Sequence, residues 1–267
     1  MLKTLSVITL FLLATFRAQA VEVVDYPVYL GGAQSLKAII LPLKNEEKAL
    51  IQVSGVNHAV DRVVFLAEMQ NRGQGGVAYR IAYDGQMKTL ILKGVNWGNE
   101  YFQVFLPDNG RDGLNVGTIE QGETDPTREG IVQRYTQQTT EGIQKKLALF
   151  NRDKHVKNVE AMLSEKDSEA SKACGGTVKT AIDWASVNDD LLKGISIGAY
   201  CGQVAGEMAR ICERHSEFKA DLAALQGVQC QFSDKLKLRR KGNNLTFMTE
   251  KDAPNQADFI NAYLRNF

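Results

Sequence analysis

The chain has 267 residues, of which 44% are hydrophobic and 24% charged, with 32 Lys plus Arg against 31 Asp plus Glu. This composition excludes a disordered or fibrous chain, and the near-zero net charge argues against a general nucleic-acid binder, whose domain would be strongly basic. The length suffices for one large domain or two smaller ones with cores of their own.

The first twenty residues read as a secretory leader. Lys3 precedes a run of about twelve mostly apolar residues, Leu5 to Phe16, and Ala18-Gln19-Ala20 supplies the small-x-small pattern for a cut after Ala20. The run is shorter than the ~20 residues of a membrane-spanning helix, and no later stretch approaches that length. Cleavage removes Lys3 and Arg17 from the 32 basic side chains and no acidic one, leaving a formal charge of −1.

From Val21 to about Gly122 the signals are those of strands. Ala38 to Leu41 and Ala49 to Val53 are short apolar runs around a polar turn, and Val63 to Ala67 follows. Tyr79 to Tyr83 and Met87 to Leu92 flank Asp84-Gly85, a pair that accepts the positive φ of a tight hairpin turn. Tyr101 to Leu106 adds another strand. Five to seven strands at this spacing predict an antiparallel sandwich or a barrel-like part over 21–122.

The pattern turns helical at residue 123. Asp125-Pro126 reads as a helix start with Asp as the cap, and Ile131, Tyr135, Ile143, Leu147 and Phe150 give a helical stripe. A polar helix is predicted from about His155 to Ala173, and short helices from Thr177 to Leu225. Lys235 to Arg240 and Leu245 to Thr249 predict a hairpin around Gly242-Asn243-Asn244, before a closing helix after Ala253-Pro254. The fold class is therefore α+β. A β-rich part (21–122) is expected to pack with a disulfide-braced helical part (123–232). The hairpin and helix of 233–267 are available to complete the first sheet.

All four cysteines, Cys174, Cys201, Cys212 and Cys230, lie in the second half, and an even number in an exported chain predicts two disulfides. No pair has the close spacing of a zinc site. If Ala199 to Glu213 is one helix, Cys201 and Cys212 are ~16 Å apart along its axis. That exceeds the ~7 Å between Cα atoms that a disulfide tolerates. Of the two pairings left, spacing favours Cys174 with Cys201 and Cys212 with Cys230.

Candidate chemistry is sparse. No nucleophile elbow, phosphate-binding loop or H-E-x-x-H pattern is present, so no cofactor or metal is expected. His58 and Asp61 share a short segment, and Asp183 lies near a predicted core. These three are the weak candidates for a carboxylate-based hydrolase, against the plainer reading of polar turns and helix starts. Lys235, Lys237, Arg239, Arg240 and Lys241 form the strongest charge feature. As a strand they present one basic face, read first as edge protection and second as a docking strip for an anionic partner.

Val53-Ser54-Gly55-Val56-Asn57-His58 with Asp61, Cys174-Gly175-Gly176 leading to Ile182-Asp183-Trp184 and Tyr200-Cys201-Gly202, and Ala253 to Phe259 resemble segments of uncharacterised exported proteins of Gram-negative bacteria. The resemblance implies a periplasmic setting and carries no activity or site residue. The functional expectation is a non-enzymatic interaction or accessory protein with a protein partner in the cell envelope, and without nucleic acid. A carboxylate hydrolase and a small-ligand or lipid carrier are the alternatives.

Overall fold

A computed structural model describes residues 22–266 apart from Asp25, Asn45 and Arg111. The leader at 1–20 lies outside the described residues. The chain divides into two compact units. The first runs to Tyr83 and from Met87 to Ala148; the second comprises Asp84–Gln86 and Leu149–Phe267.

The first unit is built on eight strands: β1 (Val28–Gly32), β2 (Lys37–Pro42), β3 (Lys48–Ser54), β4 (Val64–Gly73), β5 (Gly76–Tyr83), β6 (Gln86–Asn96), β7 (Asn99–Val104) and β8 (Leu114–Ile119). They follow one another in sequence order, and β1 pairs antiparallel with β8 to close a barrel. Alternation sends Leu30, Ile40, Ile51, Phe65, Ile81 and Val104 inward, where they form one buried cluster. Eight strands enclose just enough space for such side chains, so the interior is a packed core among the described residues.

The outward residues Ile39, Leu41, Leu50 and Val64 are buried too, against Ile131 of helix α1 (Arg128–Thr140). This accounts for the unbroken apolar runs of β2 and β3, which are covered on both faces. Helix α2 (Ile143–Ala148) follows. The glutamines of these polar helices bond strand β4, with Val64 N–H donating to Gln138 Oε1 at 2.8 Å and Gln144 Nε2 donating to Val64 C=O at 2.7 Å. The cap of α1 is Thr127, whose hydroxyl accepts from Gly130 N–H, in place of the expected Asp125. Asp125 instead pairs with Lys37 at 2.6 Å.

The second unit contains α3 (Arg152–Cys174), β9 (Lys179–Ile182), α4 (Asp189–Gly194), α5 (Ile197–Cys201), α6 (Gln203–Arg214), α7 (Lys219–Ala223), β10 (Gly227–Phe232), β11 (Lys237–Lys241), β12 (Asn244–Thr249) and α8 (Gln256–Leu264). Its sheet has the order β11-β12-β10-β9, with β9, β10 and β12 parallel and β11 antiparallel at one edge. Val228, Cys230, Leu238 and Phe247 of the sheet share a core with Val204, Met208 and Ile211 of α6.

Two expected boundaries are corrected. Helices α1 and α2 belong with the barrel, because Ile131, Ile143 and Leu147 bury against its strands; the break falls after Ala148 and not at 122. The C-terminal hairpin does not complete the first sheet. It forms β11 and β12 of a second sheet, alongside two strands, β9 and β10, in a stretch expected to be helical.

The disulfide pairing is also corrected. Cys174 bonds Cys212 and Cys201 bonds Cys230, with Cα atoms 5.1 and 5.6 Å apart, in place of the favoured Cys174–Cys201 and Cys212–Cys230. The cause is the direction of two helices. Gly202, at the start of α6, packs against Leu163, while Cys212 near its end meets Cys174 at the end of α3. The helices thus run side by side in the same direction, which places Cys201 about three turns, ~16 Å, from Cys174. Cys201 reaches β10 instead. The exclusion of a Cys201–Cys212 bond stands.

Candidate functional site

The weak catalytic candidates are each engaged by their own loops. Asp61 Oδ1 accepts from Val56 N–H at 3.1 Å, and His58 Nδ1 accepts from Val60 N–H at 3.2 Å, in the turn between β3 and β4. This turn is steric as well as polar: Gly55 has φ +80°, and a Cβ there would meet Ser35 C=O at 2.2 Å. Asp183 Oδ1 caps a single 3-10 turn by accepting from Ala185 N–H at 3.1 Å. Asp61 and Asp183 lie in different units. The structure therefore does not bring these two carboxylates together within one unit.

A His–Asp pair does occur, at residues that sequence reasoning passed over. In the second unit, His155 Nε2 lies 2.9 Å from Asp84 Oδ2, with Lys154 Nζ at 3.0 Å and Asn151 N–H donating to Asp84 Oδ1 at 2.8 Å. Burial pushes the Asp84 carboxyl up, but the hydrogen bonds from Asn151, Lys154 and His155 together outweigh it and hold the group below the usual carboxylate range. The carboxylate sits at the N-terminus of α3, where the helix dipole also favours negative charge. The His155 ring packs on Phe150, and no hydroxyl or thiol bonds it among the described residues. A nucleophile–base–acid arrangement needs that third member. The cluster therefore anchors the start of α3.

The outer face of the four-stranded sheet is different in kind. Because Leu238, Phe247 and Cys230 point into the core, strand alternation turns Lys237, Arg239 and Lys241 outward, together with Lys179 at the opposite edge. The three β11 cations stand ~6.6 Å apart, and Lys179 lies three strand spacings, ~14 Å, across the sheet. Between them the registered strands present Gln229, Gln231, Asn244 and Thr246. No outward position of these strands carries a carboxylate. Lys179, Lys237, Arg239 and Lys241 also have no salt-bridge partner among the described residues, whereas Lys37, Lys93, Arg152 and Lys154 each have one. Of the remaining expected strip, Lys235 precedes the strand, and Arg240 turns its Nε to Gly242 C=O at 2.9 Å. Strand β11 is an edge, as the edge-protection reading expects, and its Arg240 N–H donates to Tyr263 Oη at 2.9 Å. The docking reading gains Lys179, which sequence order hides 58 positions upstream of Lys237.

Comparison with known protein families, with characterised proteins and with solved structures finds no match for this chain. Two disulfides are present, and no helix among the described residues is long and apolar enough to cross a membrane.

Proposed function

We propose that the protein is a non-catalytic interaction protein of the periplasm that docks an acidic protein partner on the outer face of its four-stranded sheet. The observation that carries the reading is the set of four cations, Lys179, Lys237, Arg239 and Lys241, displayed on one face whose strands carry no carboxylate at an outward position. Four like charges held together repel one another, and an acidic partner relieves that repulsion while gaining attraction of its own. The face has few apolar groups, only Ala181 and the half-buried Met248. Binding there is electrostatic, fast to form and weakened by salt. The leader pattern and two disulfides support export to an oxidising compartment.

The test is the affinity for poly-L-glutamate, measured by calorimetry, of the native protein and of Lys237→Glu/Arg239→Glu/Lys241→Glu. These exposed or half-buried positions allow the variant to fold, which circular dichroism verifies. The reading expects an affinity loss of at least about tenfold. Equal affinities would overturn it.

A further inference from the structure

The other side of β9 borders a cleft of about 640 Å³ in the second unit, against helix α3. Its volume is that of a small-molecule site, for which ~300–1,000 Å³ is usual. Helix positions 160, 164, 167, 168 and 171 fall on one face, so Glu160, Ser164 and Ser168 line one rim. Leu163, Val178 and Ile182 supply an apolar floor, and the aromatic Trp184 lines the cleft as well.

Three features define what fits. First, no hydrogen-bond partner holds the Glu160 carboxylate or the Ser164, Ser168 and Thr177 hydroxyls among the described residues. They offer donors and acceptors at spacings of one helical turn. Second, β9 is an edge strand. Lys179 and Asp183 direct their N–H groups to Gln226 and Cys230, so Thr180 and Ile182 turn theirs toward the cleft. Thr180 N–H is already taken by Asp167 Oδ2 at 2.7 Å, with Thr180 Oγ1 on Asp167 Oδ1 at 2.6 Å. That bridge from α3 closes the strand edge to an added polypeptide strand and leaves room for a compact ligand. Third, the lining residues carry two carboxylates, Glu160 and Asp167, against one cation, Lys179, so the charge of the cleft does not favour an anion.

We propose that this cleft binds a neutral saccharide, its ring on Trp184 and the apolar floor and its hydroxyls on Ser164, Ser168, Thr177 and Glu160. An amphipathic ring with hydroxyls at its edge matches an aromatic wall, an apolar floor and a hydroxyl rim. The inference stands apart from the cationic face and does not depend on it.

The chain has two tryptophans, and Trp97 lies fully exposed in the first unit, so Trp97→Phe leaves Trp184 as the sole indole reporter. Glucose, N-acetylglucosamine, maltose and N,N′-diacetylchitobiose are titrated while Trp184 emission is followed, with an alanine–serine hexapeptide as the extended-chain probe. The proposal expects a saturable response to at least one sugar with a dissociation constant below about 10 mM, weakened at least tenfold by adding Ser164→Ala and Ser168→Ala. Both serines are exposed on a helix, where alanine does not threaten folding. No saturation with any sugar overturns the proposal, as does saturation unaffected by the serine changes. A response to the hexapeptide alone overturns it in favour of strand addition.

Discussion

Asp167→Ala is the sharpest test of how the second unit holds together. Asp167 is 8% exposed and accepts two hydrogen bonds from Thr180, one from the backbone and one from the hydroxyl. Each hydrogen bond to a charged group contributes about 1.5–3 kcal/mol when one partner is removed. Water entering from the open cleft re-solvates part of what is exposed, so the lower end applies to both bonds, about 3 kcal/mol in total. For a unit of about 120 residues, 1 kcal/mol corresponds to ~4 °C, which gives a fall in Tm of ~12 °C. Asp167→Asn keeps one acceptor and should lose about half as much, and Thr180→Val about 1.5 kcal/mol for the hydroxyl bond alone. Thermal unfolding read at Trp184 in the Trp97→Phe background reports this unit. A loss below about 0.5 kcal/mol for Asp167→Ala, the level of an ordinary surface change, would refute the bridge as a structural tie.

Three further outcomes are expected. Because the Asp84 carboxyl is held below its ordinary range in the folded chain, its stabilisation is complete above about pH 5 and is lost as pH falls through the lowered value. Unfolding free energies should therefore place Asp84→Asn well below the native protein at pH 7, with the gap narrowing as pH falls below the ordinary carboxylate range; a gap independent of pH contradicts the assignment. Peptide mapping without reduction should recover Cys174 joined to Cys212 and Cys201 joined to Cys230, and a Cys174–Cys201 peptide would refute the parallel packing of α3 and α6. Gly55→Ala should destabilise the barrel by about 3 kcal/mol in denaturant titration, since it combines positive φ with a clash at Ser35, while His58→Ala in the same turn costs under about 1 kcal/mol.

What was legible in the sequence was mostly local. The Asp84-Gly85 hairpin could be read because two adjacent runs share a turn that demands positive φ, and both residues adopt it, at 49° and 73°. The β11–β12 hairpin was legible for the same reason. Closure of β1 on β8 was not, because no local signal marks a pairing across some ninety residues. Strand β9 was missed because Lys-Thr-Ala-Ile is short and only half apolar, and its parallel partner β10 lies almost fifty residues later. Disulfide geometry removed one of three pairings correctly. The choice between the other two depended on whether α3 and α6 run parallel, a tertiary fact with no trace in cysteine spacing. The same limits governed the site: the β11 cations were visible as a strip, but Lys179 joins them only through the sheet.

Carbodiimide cross-linking of poly-L-glutamate to the native protein, mapped by mass spectrometry, tests the docking face most directly. The reagent joins carboxylates to lysine amines in contact, so the account predicts cross-links at Lys179, Lys237 and Lys241. Cross-links concentrated instead on Lys44 and Lys48 of the barrel, or on Lys145 and Lys146 of α2, would contradict it.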